Sequence, residues 1–358
     1  MRLFLSRFTR ILGFIAIASA AACAERPKMA IEAAPSSCRQ VTASTGATVT
    51  WIGPTDRRDV RALDRWCAAV GPVEVAGPAT GEGHPVDVLA IVSWNVHVGG
   101  GDLPSLISRL RRGEFTGGVP VADFAILLQE AYRAGDVVPA RIEADAAAPR
   151  RILERPAGGE RHDVAQIARA AGLAYVYVPS MRNGRAGGPE AEDRGNAILS
   201  TMPLEQIVAI ELPFERQRRV AIASTIRGRT SSGVEWSLTL ADAHFDTAFA
   251  IARGGPIAAR RRQADALIEA LGVAGGSSIL VAGDFNTWLG DGEAAIRHLR
   301  RAFPDATQSR HQPTWSVGVV GATMDFVFAR ADGREVNVRR LSERLGSDHY
   351  PLLADIRF

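Results

Sequence analysis

Apolar residues fall along the chain in short blocks. From Asp87 onward the runs 88–94, 124–128, 173–178, 197–199, 220–226, 236–240, 278–282, 324–328 and 351–356 each end in polar or glycine-rich residues. Runs of this length, rich in Val, Ile and Leu, predict buried β-strands. Between several of them, residues 103–111, 164–171, 257–271 and 293–302 have the spacing of helices. The alternation predicts an α/β architecture without an internal repeat. Two insert-like segments, 135–163 and 182–194, are rich in Ala, Pro, Gly and charge and read as loops over the body.

Upstream the pattern weakens. Residues 25–50 are small, polar and turn-rich and read as a tether. Val60, Leu63, Trp66, Cys67 and Val70 then recur at helical spacing, predicting a docked helix over 57–70, and 71–85 reads as a linker. Ahead of these, Arg2, Arg7 and Arg10 precede an apolar run at 11–22 and small residues around Cys23. That layout is a secretory signal, and the run falls short of the roughly 20 residues a spanning helix needs. Two exits stay open: a cut before Glu25, or lipidation of Cys23 after Ala20-Ala21-Ala22. Either predicts an exported protein, periplasmic or secreted, and the second a membrane-anchored lipoprotein. The expected division is 1–24 signal, 25–84 tether and small N-terminal extension, and 85–358 main domain.

With 358 residues, 46% of them hydrophobic, the chain can bury a large core. Its 42 basic residues against 39 acidic ones give a formal charge of +3. Three arginines leave with residues 1–22 and no acid does, so 39 of each sign remain. The basic pI of 9.0 is therefore a signal-segment effect and carries no case for nucleic acid. Beyond Cys23 only Cys38 and Cys67 remain, an even pair that an exported chain can bridge.

The candidate chemistry lies where apolar runs meet polar residues. Asn95 follows Ile91-Val92-Ser93-Trp94, and Glu130 follows an apolar run closed by Gln129. A strand-end carboxylate needs a cation or donor, and its oxygens suit Mg²⁺, Mn²⁺ or Ca²⁺. His244 and Asp246 close another run. In Gly283-Asp284-Phe285-Asn286, the acid can take a proton from water while the amide holds water or a phosphate oxygen. Asp325 interrupts a late apolar strand, and Asp348-His349 supplies an imidazole that would suit it as a partner.

These segments, with Gly195-Asn196-Ala197-Ile198-Leu199-Ser200 and Ser347-Asp348-His349-Tyr350-Pro351, resemble in sequential order the endonuclease/exonuclease/phosphatase superfamily, the deoxyribonuclease I-like fold. The resemblance spans residues 85–358. It implies a four-layer sandwich of two packed mixed β-sheets flanked by helices, with the active site at one end. It further implies Glu130 as metal ligand with Asn95 and Asp348 nearby, Mg²⁺ being the first expectation and Mn²⁺ or Ca²⁺ the others. Asp284 would activate water with Asn286 assisting. His349 would contact the phosphate, Asp325 would fix its tautomer, and His244 would stabilise phosphoryl charge or aid the leaving oxygen. Many family nucleases place a phosphate-holding Tyr or Arg between the segments of Glu130 and His244. Here Tyr175, Tyr177, Arg194 and Asn196 are the candidates, Arg194 and Asn196 first.

The arginine clusters 216–219 and 260–262 could grip a phosphodiester backbone if they border the cleft, but read first as solvated faces. The first functional expectation is an exported nuclease. The alternative is a phospholipid-headgroup phosphodiesterase or phosphatase of sphingomyelinase-like type, which a lipid anchor would suit. A non-catalytic binding protein would have lost Asp284, Asn286 or His349, and all are present. The expected partner is the phosphodiester substrate, nucleic acid or lipid headgroup. Membrane contact is expected only through a lipid on Cys23, and no protein partner is expected.

Overall fold

The computed structural model describes residues 26–43, 46–77, 84–139, 160–183, 191–247, 254–275, 278–308 and 312–358. The signal segment with Cys23 lies outside these residues, as do large parts of both insert-like segments. Two mixed sheets form the body. One has seven strands in the order Met29–Ile31, Thr50–Pro54, Glu205–Glu211, Val220–Arg229, Glu235–His244, Ile279–Asp284 and Asp325–Arg330. The other has nine: Ala306–Gln308, Val336–Arg340, Leu352–Arg357, Val88–Asn95, Phe124–Ala134, Glu192–Ser200, Ala174–Arg182, Val73–Ala76 and Val41–Ala43.

Alternating side chains build three apolar layers from these strands. Ile91, Leu127, Val178 and Ile198 of the larger sheet meet Ile222, Leu240, Leu280 and Val327 of the smaller one. On the outer face of the smaller sheet, Phe245, Phe285, Phe326 and Phe328 pack with Leu267, Leu271, Ile296 and Leu299. Those aliphatics come from helices Gly255–Ala274 and Ala294–Ala302. On the other outer face, Val92, Leu128 and Tyr175 pack with Leu106, Leu110 and Ala168 of Leu103–Arg111 and Val164–Ala170. The strands are thus buried on both faces, which is why they read as continuous apolar runs, and the expected four-layer sandwich is what forms.

The N-terminal stretch differs from the expected tether and linker. Met29–Ile31 and Thr50–Pro54 extend the seven-stranded sheet, and Val41–Ala43 and Val73–Ala76 extend the nine-stranded one. These strands are short and lie at sheet edges, so no sustained period marks them in sequence. Helix Arg57–Cys67 forms near its expected span, capped by Asp56 accepting from the Arg58 and Asp59 amides. Cys38 and Cys67 are bridged, with their Cα atoms 4.8 Å apart.

Candidate active site

Strand register assembles the site. His244 ends its strand and lies beside Asp284 in a parallel pair, and Asp284 lies opposite Asp325 in an antiparallel one. Three functional side chains thus occupy one edge of three adjacent strands. Close backbone approach makes this possible: Gly283 has φ +150°, and a Cβ there would lie 1.8 Å from the Ala243 carbonyl oxygen. Across the sandwich, Asn95 is in register with Gln129, at the same edge of the larger sheet.

Glu130 is aimed by a defect. Pairing between Phe124–Ala134 and Glu192–Ser200 shifts register between Leu128 and Ala131, and Glu130 adopts φ +53° inside that bulge. A bulge re-aims a side chain that a regular strand would point elsewhere. Glu130 is one of eight non-glycine residues with positive φ among the described residues, and His97, Val98, Asn286 and Leu345 of the same group also border this end of the sandwich. Backbone strain concentrated in this way is characteristic of functional sites.

The polar contacts interlock. Asp284 Oδ1 accepts from the Asn286 backbone N–H at 2.8 Å, and Oδ2 accepts from Asn95 Nδ2 at 2.9 Å, which ties the two sheets together. Burial lifts the Asp284 pKa to about 6, the nearby His349 charge opposing and Asp325 adding to the shift. His349 Nδ1 donates to Asp325 at 2.8 Å, while Nε2 lies 3.8 Å from Asp284 Oδ2. Burial alone would lower the His349 pKa, but the carboxylates of Asp325 and Asp284 outweigh it and hold it at about 10. His349 is therefore an imidazolium at neutral pH, with Nε2–H left to donate.

His244 is its counterpart. Burial first, then the charges of Arg219, Arg194 and His349, keep its pKa well below the ordinary value. Arg219 Nη1 donates to His244 Nδ1 at 3.0 Å, so the neutral ring carries its proton on Nε2, 3.6 Å from Asp284 Oδ2. Asn286 Nδ2 donates to the Phe245 carbonyl at 2.9 Å. Asp348 accepts from Trp315 Nε1 at 2.9 Å and stands 3.6 Å from His97 Nδ1.

The donor atoms of Asp284, Asp325 and His349 lie within 4.8 Å of one another, close enough to hold a metal ion. His349, protonated on both ring nitrogens, has no lone pair for a metal ion, and its Nε2–H is left to donate to a phosphate oxygen. Hard oxygens at Glu130, Asn95 and Asp348 fit a divalent ion that keeps several waters. Glu130 is partly open to solvent and its Oε2 meets Arg194 Nη1 at 3.2 Å.

Among the phosphate candidates, Arg194 is at the site through Glu130. Tyr177 donates instead to Asp193 in a buried cluster with Arg133, and Tyr175 to Glu74. Asn196 is buried beside Asp242, and its Nδ2 finds no acceptor among the described residues. Asp242 also accepts from Gln129 Nε2 at 2.6 Å, and burial raises its pKa well above the ordinary range.

Arg219 does not lie on the solvated face expected of its cluster. The arginines of 216–219 and 260–262 are largely held internally: Arg218 grips Glu211, Arg260 grips Glu293 and Arg262 grips Glu215. Arg219 is buried against His244, and its Nε–H finds no acceptor among the described residues. Its signal was its place directly before an apolar run whose strand starts at the catalytic edge.

The family model described as Endonuclease/Exonuclease/phosphatase family matches residues 92–349. The chain belongs to the endonuclease/exonuclease/phosphatase family. Solved structures with similar folds include a family protein from Leptotrichia buccalis, 14% identical with TM-score 0.49, covering 75% of this chain and 100% of that one. A family protein from Bacteroides thetaiotaomicron is 14% identical with TM-score 0.47, covering 77% and 99%. The human Nocturnin catalytic domain is 18% identical with TM-score 0.45, covering 77% and 96%. No curated protein sequence matches significantly. The family residues expected from the sequence, Asn95, Glu130, His244, Asp284, Asn286, Asp325, Asp348 and His349, all border this one end of the sandwich.

Proposed function

We propose that the chain is an exported, divalent-metal-dependent phosphodiesterase. The observation that carries this reading is the trio His244, Asp284 and Asp325 on adjacent strands, with cationic His349 hydrogen-bonded to Asp325. Asp284 is anchored through both oxygens and accepts the proton of an attacking water. His349 donates from Nε2 to a phosphate oxygen, and Asp325 holds its ring in place through Nδ1. His244 presents Nε2–H to the phosphoryl group, fixed by Arg219, and the guanidiniums of Arg219 and Arg194 add positive charge as the phosphorane forms. A divalent ion at Glu130, with Asn95 and Asp348, supplies charge neutralisation at the phosphate when bound.

A phospholipid headgroup or similarly compact ester fits better than nucleic acid. A polymer backbone calls for a track of free cations, whereas Arg218, Arg260 and Arg262 are committed to Glu211, Glu293 and Glu215. Nucleic acid remains the second reading, supported by Arg194 and Arg219 in the cleft.

The test is hydrolysis of bis(p-nitrophenyl) phosphate, plasmid DNA, RNA and sphingomyelin by the purified protein with Mg²⁺, Mn²⁺ or Ca²⁺, and with chelator. Activity should vanish with chelator and fall by roughly two to four orders of magnitude in Asp284→Ala and His349→Ala, with melting curves preserved. Inactivity on every substrate, or near-wild-type turnover by either variant, would overturn the assignment.

A further inference from the structure

Beside the catalytic cluster a two-stranded hairpin, Trp315–Val317 with Val320–Ala322, stands on its own. Its two-residue turn is Gly318-Val319, and Gly318 takes the φ of +58° that such a turn demands at its first position. The hairpin is apolar where solubility alone would make it polar: Val317 and Val320 are each 55% exposed and Val319 is fully exposed. Trp288 and Leu289, just past Asn286, are exposed as well, and the Trp288 ring meets Trp315 edge-on at 5.6 Å. Five of the twelve exposed large apolar side chains among the described residues thus gather on one rim. A concentration of this kind marks an interaction surface.

The rim is fixed to the chemistry. Trp315 Nε1 donates to Asp348, Ser316 N–H donates to the Asp348 carbonyl, and Thr314 Oγ1 accepts from the Asp325 amide. At the hairpin base the exposed Arg344 donates to the Ser316 carbonyl at 2.8 Å, placing a cation beside the valines. Apolar tips with a basic border match the acyl boundary and phosphates of a bilayer.

Where the chain enters the body agrees. Met29 pairs with Pro54, and successive pairings carry that level through Glu211 and Val220 to His244, so the N-terminus enters at the catalytic end. Met29 and Asp325 lie on opposite edges of the seven-stranded sheet, six strand spacings or about 29 Å apart. Cys23 stands only six residues before Met29, a reach of at most about 22 Å. A lipid on Cys23 and an apolar rim would hold the same end of the sandwich at a membrane from two sides.

We propose that the hairpin tip with Trp288 and Leu289 is a docking surface for a phospholipid bilayer. It rests on the phosphodiesterase reading only for its use, since docking needs no turnover. The test is co-sedimentation of the Cys23→Ala chain, free of any lipid anchor, with vesicles of phosphatidylcholine and of phosphatidylcholine mixed with phosphatidylglycerol. The protein should pellet with vesicles, and Val317→Ser/Val319→Ser/Val320→Ser should cut the bound fraction at least about tenfold, with hydrolysis of bis(p-nitrophenyl) phosphate unchanged. Val319→Asp at the exposed tip replaces the triple variant should that one fold poorly. Absence of vesicle binding, binding indifferent to the hairpin, or a dimer lost in Val319→Asp without vesicle binding would overturn the docking surface. Vesicle binding that responds to the hairpin in a protein inactive on every ester would uphold it while removing the phosphodiesterase reading.

Discussion

Two groups in the site have pKa values displaced in ways that bear directly on rate. Asp284 is useful as a base only when ionised, above about 6, and His349 is useful as a donor only when protonated, below about 10. The rate should therefore rise with pH through about 6 and fall again toward about 10, the macroscopic limbs of a bell. Asp325 is the largest of the groups raising His349 against burial. Asp325→Asn should consequently move the alkaline limb to lower pH, measurable in a pH–rate profile of a soluble diester. An unmoved limb would show that Asp325 does not hold the imidazolium. Asp284 and Asn286 were legible in the sequence because they follow an apolar run whose strand ends at the cleft, and Asp348 and His349, which precede the last run, because Ser-Asp-His-Tyr-Pro matches the family pattern. Arg219 was not, because Val220–Arg229 begins at the cleft and its polar neighbour precedes the run. Reading only the ends of runs misses the starts of antiparallel strands.

At the scale of elements, the site depends on strand approach and on one protonated carboxyl beneath it. The clash at Gly283 is with backbone, the Ala243 carbonyl, so no side-chain rearrangement relieves it. Gly283→Ala should push apart the pair that aligns His244 with Asp284. An unfolding free energy lower by at least about 3 kcal/mol in urea, at the top of the usual range for point changes, is expected, with activity lost alongside.

Asp242 joins the sheets through Gln129, the residue before the Glu130 bulge, and its native pKa stands well above the ordinary 3.8. The native state therefore holds a proton that the unfolded chain releases. The resulting stabilisation is fully present below the ordinary value and is lost as pH rises through the native one. Asp242→Asn removes that loss, so melting temperatures recorded from about pH 4 to about pH 8 should show the variant gaining on the wild type as pH rises. Parallel curves would place the Asp242 proton elsewhere. The strands of the two central sheets were largely visible as apolar runs. Glu205–Glu211 and the short edge strands were not, since three- to seven-residue segments framed by charge carry too little pattern.

At the scale of the whole molecule, the N-terminal stretch is where sequence and structure part most. Low hydrophobicity before Thr50 reads as a tether, yet Met29, Ala34 and Cys38 are buried and both sheets gain edge strands from this region. What stands in for a larger core there is covalent: the Cys38–Cys67 bridge joins the turn Ser36–Cys38 to helix Arg57–Cys67. The 29-residue separation lets loop-closure entropy set its scale at about 3–4 kcal/mol. Near it, the Arg218–Glu211 ion pair is buried, and Arg218 also donates to the Pro179 carbonyl of the other sheet, so loosening this corner disturbs both. Cys38→Ser/Cys67→Ser should lower the unfolding free energy by about that amount, read from urea curves, and dithiothreitol should bring the wild type to the variant's value. Because the bridge sits beside Glu211 on the third of the seven strands and contributes no group to the catalytic cluster, the folded variant should keep the wild-type rate on a soluble diester. A rate that falls while the chain remains folded would show that the N-terminal edge reaches the catalytic register.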